Sequence, residues 1–172
     1  VYLGTLDGRM VAIDQNTGEE KWSTQMTDPR TCFSCVFSSP PQLAGNILYG
    51  CTTGGDQAIA GKVYALNAVT GEPAWTFETL LFNEKKSWPN ESGLVGGGGA
   101  WLPGQYDADT DTIYIGTSNA APDFYPVGRE GDNRWAASYL ALDAQTGTVK
   151  AAHQEIPHDT YDYDSSYEGI FF

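Results

Sequence analysis

The run Ala12-Ile13-Asp14-Gln15-Asn16-Thr17-Gly18-Glu19-Glu20-Lys21-Trp22 returns as Ala65-Leu66-Asn67-Ala68-Val69-Thr70-Gly71-Glu72-Pro73-Ala74-Trp75. It returns again as Ala141-Leu142-Asp143-Ala144-Gln145-Thr146-Gly147-Thr148-Val149-Lys150-Ala151, with the tryptophan gone. In each copy a strand ends at the Asp or Asn, whose side chain starts a turn, and the Gly supplies a positive φ before the next strand. The unit is a β-hairpin. A further strand precedes each copy: Val1-Tyr2-Leu3-Gly4, Ile47-Leu48-Tyr49-Gly50 and Ile113-Tyr114-Ile115-Gly116. Hairpins repeated several tens of residues apart predict the blades of a β-propeller, each burying its faces against its neighbours. Trp22 and Trp75 are then structural, docking between blades.

Working outward, no stretch keeps apolar residues at helical spacing without a Gly or Pro intervening, so the class is all-β. A propeller needs at least four blades, and about three repeats are present. The expectation is a single incomplete β-propeller domain over residues 1–172, truncated at both ends, a piece of a longer protein. The chain begins in a strand without Met and ends on the apolar tail Ile170-Phe171-Phe172. Neither a signal peptide nor an apolar run long enough to span a bilayer is present in it.

The chain has 172 residues, 41% hydrophobic and 13% aromatic, enough for one real core. Its net charge of −13, with only nine Lys and Arg, argues against nucleic acid. An acidic surface suits cations or a basic protein partner, or serves solubility alone. Cys32 and Cys35 form a C-x-x-C and Cys51 stands alone, too few for a four-cysteine zinc site. A local disulfide and two reduced core thiols both remain open for the pair.

Loops on a rigid scaffold carry chemistry, and four segments stand out. Residues 38–61 surround the second repeat's first strands. Residues 88–104 contain Gly96-Gly97-Gly98-Gly99-Ala100-Trp101, where glycines let a backbone approach a flat ligand and the aromatic can cover its face. Residues 119–133 interrupt the third repeat. Pro157-His158-Asp159-Thr160-Tyr161-Asp162-Tyr163-Asp164 is dense in oxygen donors. In an extended segment Asp162 and Asp164 share a face, about 6.5–7 Å apart at Cα, and can converge on one cation. The alternative is a solvated acidic turn.

Together these segments resemble the pyrroloquinoline quinone (PQQ)-dependent alcohol dehydrogenases, quinoproteins that include methanol and ethanol dehydrogenases on an eight-bladed propeller. The resemblance rests on the repeated turn, on Gly96 to Trp101, on Tyr114-Ile115-Gly116-Thr117-Ser118-Asn119, on Gly131-Asp132-Asn133, and on Pro157-His158-Asp159 running into Asp162. It implies that Trp101 stacks on the quinone, that Ser38 and Thr53 bond its carboxylates, and that Asp162 is the catalytic base. It implies Asp56, Asn119, Asp162 and Asp164 as metal ligands, Asp164 being the extra carboxylate of lanthanide-dependent members. The chain departs from the family at Asp56, where a glutamate is usual, at Ala60 for an arginine, at Tyr161 for a tryptophan and at Ala151 for a docking tryptophan. The Asp56 arm reaches roughly 1.3–1.5 Å less far, more than half of a metal–oxygen bond of about 2.4 Å.

The implied chemistry is oxidation of a small primary alcohol, with a hard cation polarising the quinone and Asp162 taking the hydroxyl proton. Oxygen ligands suit calcium(II) or a lanthanide(III), and three crowded aspartates favour the trivalent ion. The resemblance further implies a periplasmic enzyme passing electrons to cytochrome c. The rival readings are a non-catalytic β-propeller scaffold for protein interaction, like outer-membrane assembly lipoproteins, a quinoprotein acting on a different alcohol, and a member that has lost its metal.

Overall fold

The computed structural model describes residues 1–32, 34–57, 59–81, 83–89 and 96–170. The central part of the 88–104 loop and Phe171-Phe172 of the apolar tail lie outside them. Among the described residues the chain forms eleven strands and one short 3-10 turn, Gly55–Gln57. No described helix is long and apolar enough to cross a membrane.

The strands make three antiparallel sheets in sequence order. The first contains β1 (Tyr2–Gly4), β2 (Arg9–Ile13) and β3 (Glu20–Gln25). The second contains β4 (Gln42–Ala44), β5 (Ile47–Cys51), β6 (Lys62–Asn67) and β7 (Pro73–Glu78), and the third β8 (Gln105–Asp107), β9 (Thr112–Gly116), β10 (Ser138–Asp143) and β11 (Val149–Gln154). Each strand pairs with the next, so each sheet is a meander and the three are blades of a partial β-propeller.

The repeated run is the turn between β2 and β3, β6 and β7, and β10 and β11. Asp14, Asn67 and Asp143 each accept two backbone N–H groups through Oδ1: from Asn16 and Thr17, from Val69 and Thr70, and from Gln145 and Thr146. Gly18, Gly71 and Gly147 follow at φ 76°, 74° and 71°. Two of these glycines answer a second demand. A Cβ on Gly71 would lie 2.6 Å from the Trp22 ring, and one on Gly147 would lie 2.5 Å from Trp75. Each indole lies over the turn of the following blade and donates its N–H to a carbonyl there, Trp22 to Ala68 at 3.2 Å and Trp75 to Ala144 at 3.0 Å. The tryptophans dock between blades, as the repeat predicts.

Strand alternation explains the core. Every residue of β5 is buried because the strand lies inside a blade packed on both faces. Ile47, Tyr49 and Cys51 face the cluster with Val63, Ile113, Ile115, Leu140 and Leu142 on the third blade's side. Leu48 faces Met10, Phe37 and Leu66 on the first blade's side. Fully buried side chains of this size contribute about 1.5–3 kcal/mol each. Cys51 is a free buried thiol whose pKa burial pushes up to about 12, so it packs as a neutral hydrophobe. Cys32 and Cys35 form a disulfide, which closes that open question.

The turn carboxylates carry a pH dependence. The Asp14 carboxyl lies at about 2 rather than 3.8, held down first by Lys21 and then by the Asn16 and Thr17 amides. A depressed folded-state pKa gives stability that is complete above the unfolded value and lost as pH falls toward the folded one. Asn67 makes the same two amide contacts with nothing to titrate. Asp14→Asn is therefore expected to keep the turn and to shrink the fall in melting temperature between pH 5 and about 2.5. Parallel melting curves for variant and parent across that window would count against it.

Candidate metal and cofactor site

At one end of the sheets the loops after β5, β9 and β11 meet the glycine run and enclose a cleft of about 270 Å³. After Cys51 the chain leaves β5 through Thr53 into the 3-10 turn that carries Asp56. Gly54, at φ 107°, makes the bend possible, since a Cβ there would lie 2.4 Å from the Ser34 carbonyl oxygen.

Gly96 to Ala100 is buried and threaded between two other loops. Gly97 bridges Ala60 on one side and Ala120 on the other. A Cβ on it would lie 2.6 Å from the Asn119 oxygen and from the Ala121 nitrogen. The crowding is by neighbouring backbone, which is why glycine is required there; of the run, only Gly99 lines the cleft. Trp101 follows, 39% exposed, its indole N–H donating to Asp164 Oδ2 at 2.8 Å. The ring is pinned by its edge and leaves surface open to the cleft.

Asn119 leaves β9 through Ser118, which donates its amide to Gly99 at 2.8 Å. The Asn119 side chain is 1% exposed, and its Nδ2 donates to Asp123 Oδ1 at 2.6 Å and to the Ala120 carbonyl at 3.3 Å. Its own backbone N–H goes to Asp164 Oδ1 at 3.0 Å.

The acidic segment is shaped by Asp159 and by two left-handed residues, His158 at φ 53° and Asp162 at φ 64°. Asp159 accepts the amides of Tyr161 at 2.9 Å and Tyr163 at 2.7 Å, so its carboxylate folds the loop. Just past Asp164, the Ser165 amide bonds to the Thr117 carbonyl at 3.0 Å and anchors the segment over β9.

Carboxylate oxygens of Asp56, Asp123 and Asp162 lie within 4.8 Å of one another. Two oxygens bound to one hard cation at about 2.4 Å stand no more than about 4.8 Å apart, so these three fit around a single ion. Partial burial raises the Asp162 carboxyl above its usual range, followed by repulsion from Asp123, Asp164 and Asp56. Asp123 is raised by burial and then by Asp56. No Lys or Arg among the described residues forms an ion pair with any of these four aspartates. An oxygen-rich negative pocket without a direct ion pair matches the chemistry of a hard cation, and the open face of Trp101 matches a flat cofactor.

The structure brings Thr53, Asp56, Trp101, Asn119, Asp162 and Asp164 to one cleft. Ser38 is exposed and does not line it. Asp164 lines it but does not join the three-carboxylate cluster, contrary to the extended-segment expectation. The left-handed turn at Asp162 breaks the two-residue alternation, and both oxygens of Asp164 accept hydrogen bonds elsewhere. Sequence reasoning missed Asp123 and Arg129. Asp123 stands four residues after Asn119 in a loop already singled out, which is the one signal that pointed to it.

Arg129 is fully buried. Its guanidinium donates to the carbonyls of Pro122, Asp123 and Asp159 and to Asn133 Oδ1, tying the loop of Asp123 to the loop of Asp162. Desolvation lowers its pKa, offset by the nearby Asp159 and Asp123.

A propeller cleft with this donor set is the geometry against which sequence comparison is read. Residues 23–172 match the glucose/ethanol/alcohol dehydrogenase β-propeller domain of the PQQ family, and the chain belongs to that family. It is 33% identical to the quinoprotein alcohol dehydrogenase PedH of Pseudomonas putida, over 100% of this chain and 32% of that protein. It is 32% identical to the lanthanide-dependent methanol dehydrogenase of Methylacidiphilum fumariolicum, over 99% of this chain and 31% of that protein. Among solved structures a europium-containing methanol dehydrogenase superposes with a TM-score of 0.85 at 28% identity, covering 95% of this chain and 32% of the other. The chain thus spans about a third of the length of these relatives.

Proposed function

We propose that this chain supplies the metal-binding half of the active site of a periplasmic PQQ-dependent alcohol dehydrogenase that oxidises a primary alcohol to an aldehyde. The observation that carries this reading is the convergence of Asp56, Asp123 and Asp162 beside Trp101. The family's printed names, quinoprotein alcohol dehydrogenase and lanthanide-dependent methanol dehydrogenase, support it. The Cys32–Cys35 disulfide suits an oxidising compartment.

When bound, metal and quinone supply the Lewis acid and the hydride acceptor. Asp56 and Asp162 would hold the cation from different loops, and Asn119 would offer its amide oxygen, both its side-chain N–H groups being committed elsewhere. Trp101 would cover a face of the quinone and Thr53 would offer it a hydrogen bond, both residues lining the cleft. Asp162 would serve as the base that takes the hydroxyl proton of the alcohol at a carboxylate oxygen. Asp164 holds the Trp101 ring and adds its charge to the cleft. That concentration of negative charge favours a lanthanide(III) over calcium(II). Electrons leave to a cytochrome c, for which the acidic surface is suited.

The test is dye-linked alcohol oxidation by the full-length protein reconstituted with the quinone, with calcium or a light lanthanide, beside Asp164→Ala. Turnover with the lanthanide that is lost in the variant is the expected result. Turnover with calcium alone would keep the enzyme and discard the lanthanide. Failure to bind quinone with either metal would overturn the reading in favour of a scaffold propeller.

A further inference from the structure

We propose that Asp123 is itself a metal ligand of this chain, a third protein carboxylate that completes a site whose Asp56 arm is short. The inference rests on the metal-binding reading above and concerns which side chains hold the ion.

The geometry of Asp123 is that of a prepared donor. Its Oδ1 accepts the Asn119 amide, and its carboxylate reaches the cluster with Asp56 and Asp162. Its backbone is braced by Arg129, which donates to the carbonyls of Pro122 and Asp123, before and after the Asp123 Cα. Arg129 gives its hydrogen bonds to carbonyls and to Asn133 Oδ1 and forms no direct ion pair with the Asp123 carboxylate, so its charge offsets only in part the burial and the Asp56 repulsion that raise Asp123. The contact from Asn119 serves a second purpose. With Nδ2 bound to two acceptors, the side-chain oxygen is what the Asn119 amide has left to offer.

Asp164 shows the contrast. Its two oxygens accept the Trp101 indole and the Asn119 amide, so it positions other members of the site. The carboxylates that meet come from three different loops, those after β5, β9 and β11. A hard cation with six or more oxygen ligands draws on all three.

A ligand role and a structural role predict different signatures for Asp123→Asn, which keeps the shape and the acceptor for Asn119. As a ligand, the residue repels Asp56 and Asp162 without metal, so the metal-free variant melts at the same or a higher temperature than the parent. Its lanthanide affinity, by equilibrium dialysis of the full-length protein with lanthanum, falls at least about 10- to 100-fold. Asp123→Glu, which retains the carboxylate, recovers most of that loss. Unchanged affinity in Asp123→Asn would overturn the inference and leave the metal site standing. Weaker binding together with a lower metal-free melting temperature, or no recovery in Asp123→Glu, would also overturn it, assigning Asp123 to the loop's structure. A parent protein that binds neither lanthanum nor calcium would remove the metal-binding reading itself.

Discussion

Asp162→Asn in the full-length protein, assayed at saturating metal, is expected to lose roughly 100- to 10,000-fold in kcat. Under the proposed function the change removes the proton acceptor while sparing the backbone. Asp162 sits at φ 64°, a left-handed conformation that asparagine adopts almost as readily as aspartate. The loop is shaped by Asp159 through the amides of Tyr161 and Tyr163, and neither contact involves the Asp162 side chain. The KM for the alcohol should therefore move much less than kcat, the pattern of an interaction made in the transition state. Saturating metal separates this effect from weaker ion binding. A variant that keeps kcat within about tenfold of the parent would show that another group takes the proton.

The second large effect is expected at Arg129, whose side chain is fully buried. Arg129→Met keeps an unbranched apolar stem and removes every donor. Three carbonyls and the Asn133 side chain then lose a partner inside the protein, each at a cost of about 1–3 kcal/mol. Burying the guanidinium itself is unfavourable, as its lowered pKa shows, and methionine recovers part of that. The net expectation is a loss of about 2–4 kcal/mol, seen as a lower melting temperature. Metal affinity should fall with it, because the loops of Asp123 and Asp162 are no longer joined. Arg129→Lys should recover little, since one ammonium cannot fork to acceptors on two loops. Wild-type metal affinity in Arg129→Met would show that the two loops hold their positions without the guanidinium.

How much of this was legible depends on the range of the interactions. Asp14, Asn67 and Asp143 each bond to amides two and three residues ahead, so the turn is written where it forms. The docking of Trp22 and Trp75 was legible because it repeats with the turn. The candidate residues Thr53, Asp56, Trp101, Asn119, Asp162 and Asp164 were named from the family resemblance and meet in one cleft, whereas Ser38, named with them, does not line it. The glycine run was read for close approach, but which partner it approaches depends on loops distant in sequence.

Asp123 and Arg129 carried no such local mark. A carboxylate in a loop is ordinary until Asp56 and Asp162 are brought beside it. A lone arginine normally reads as surface, and its burial follows only once two loops offer it carbonyls. The grouping of Asp162 with Asp164 failed for a related reason: one residue in the left-handed region reverses the alternation that an extended strand would impose. By itself, then, the sequence determined the blades and their turns, which rest on contacts within a repeat unit, and the tryptophan latches between blades, which recur at a fixed place in the repeat. Only the tertiary structure decided which carboxylates share the cleft and what braces them, because those distances depend on how separate loops are carried together by the packed blades.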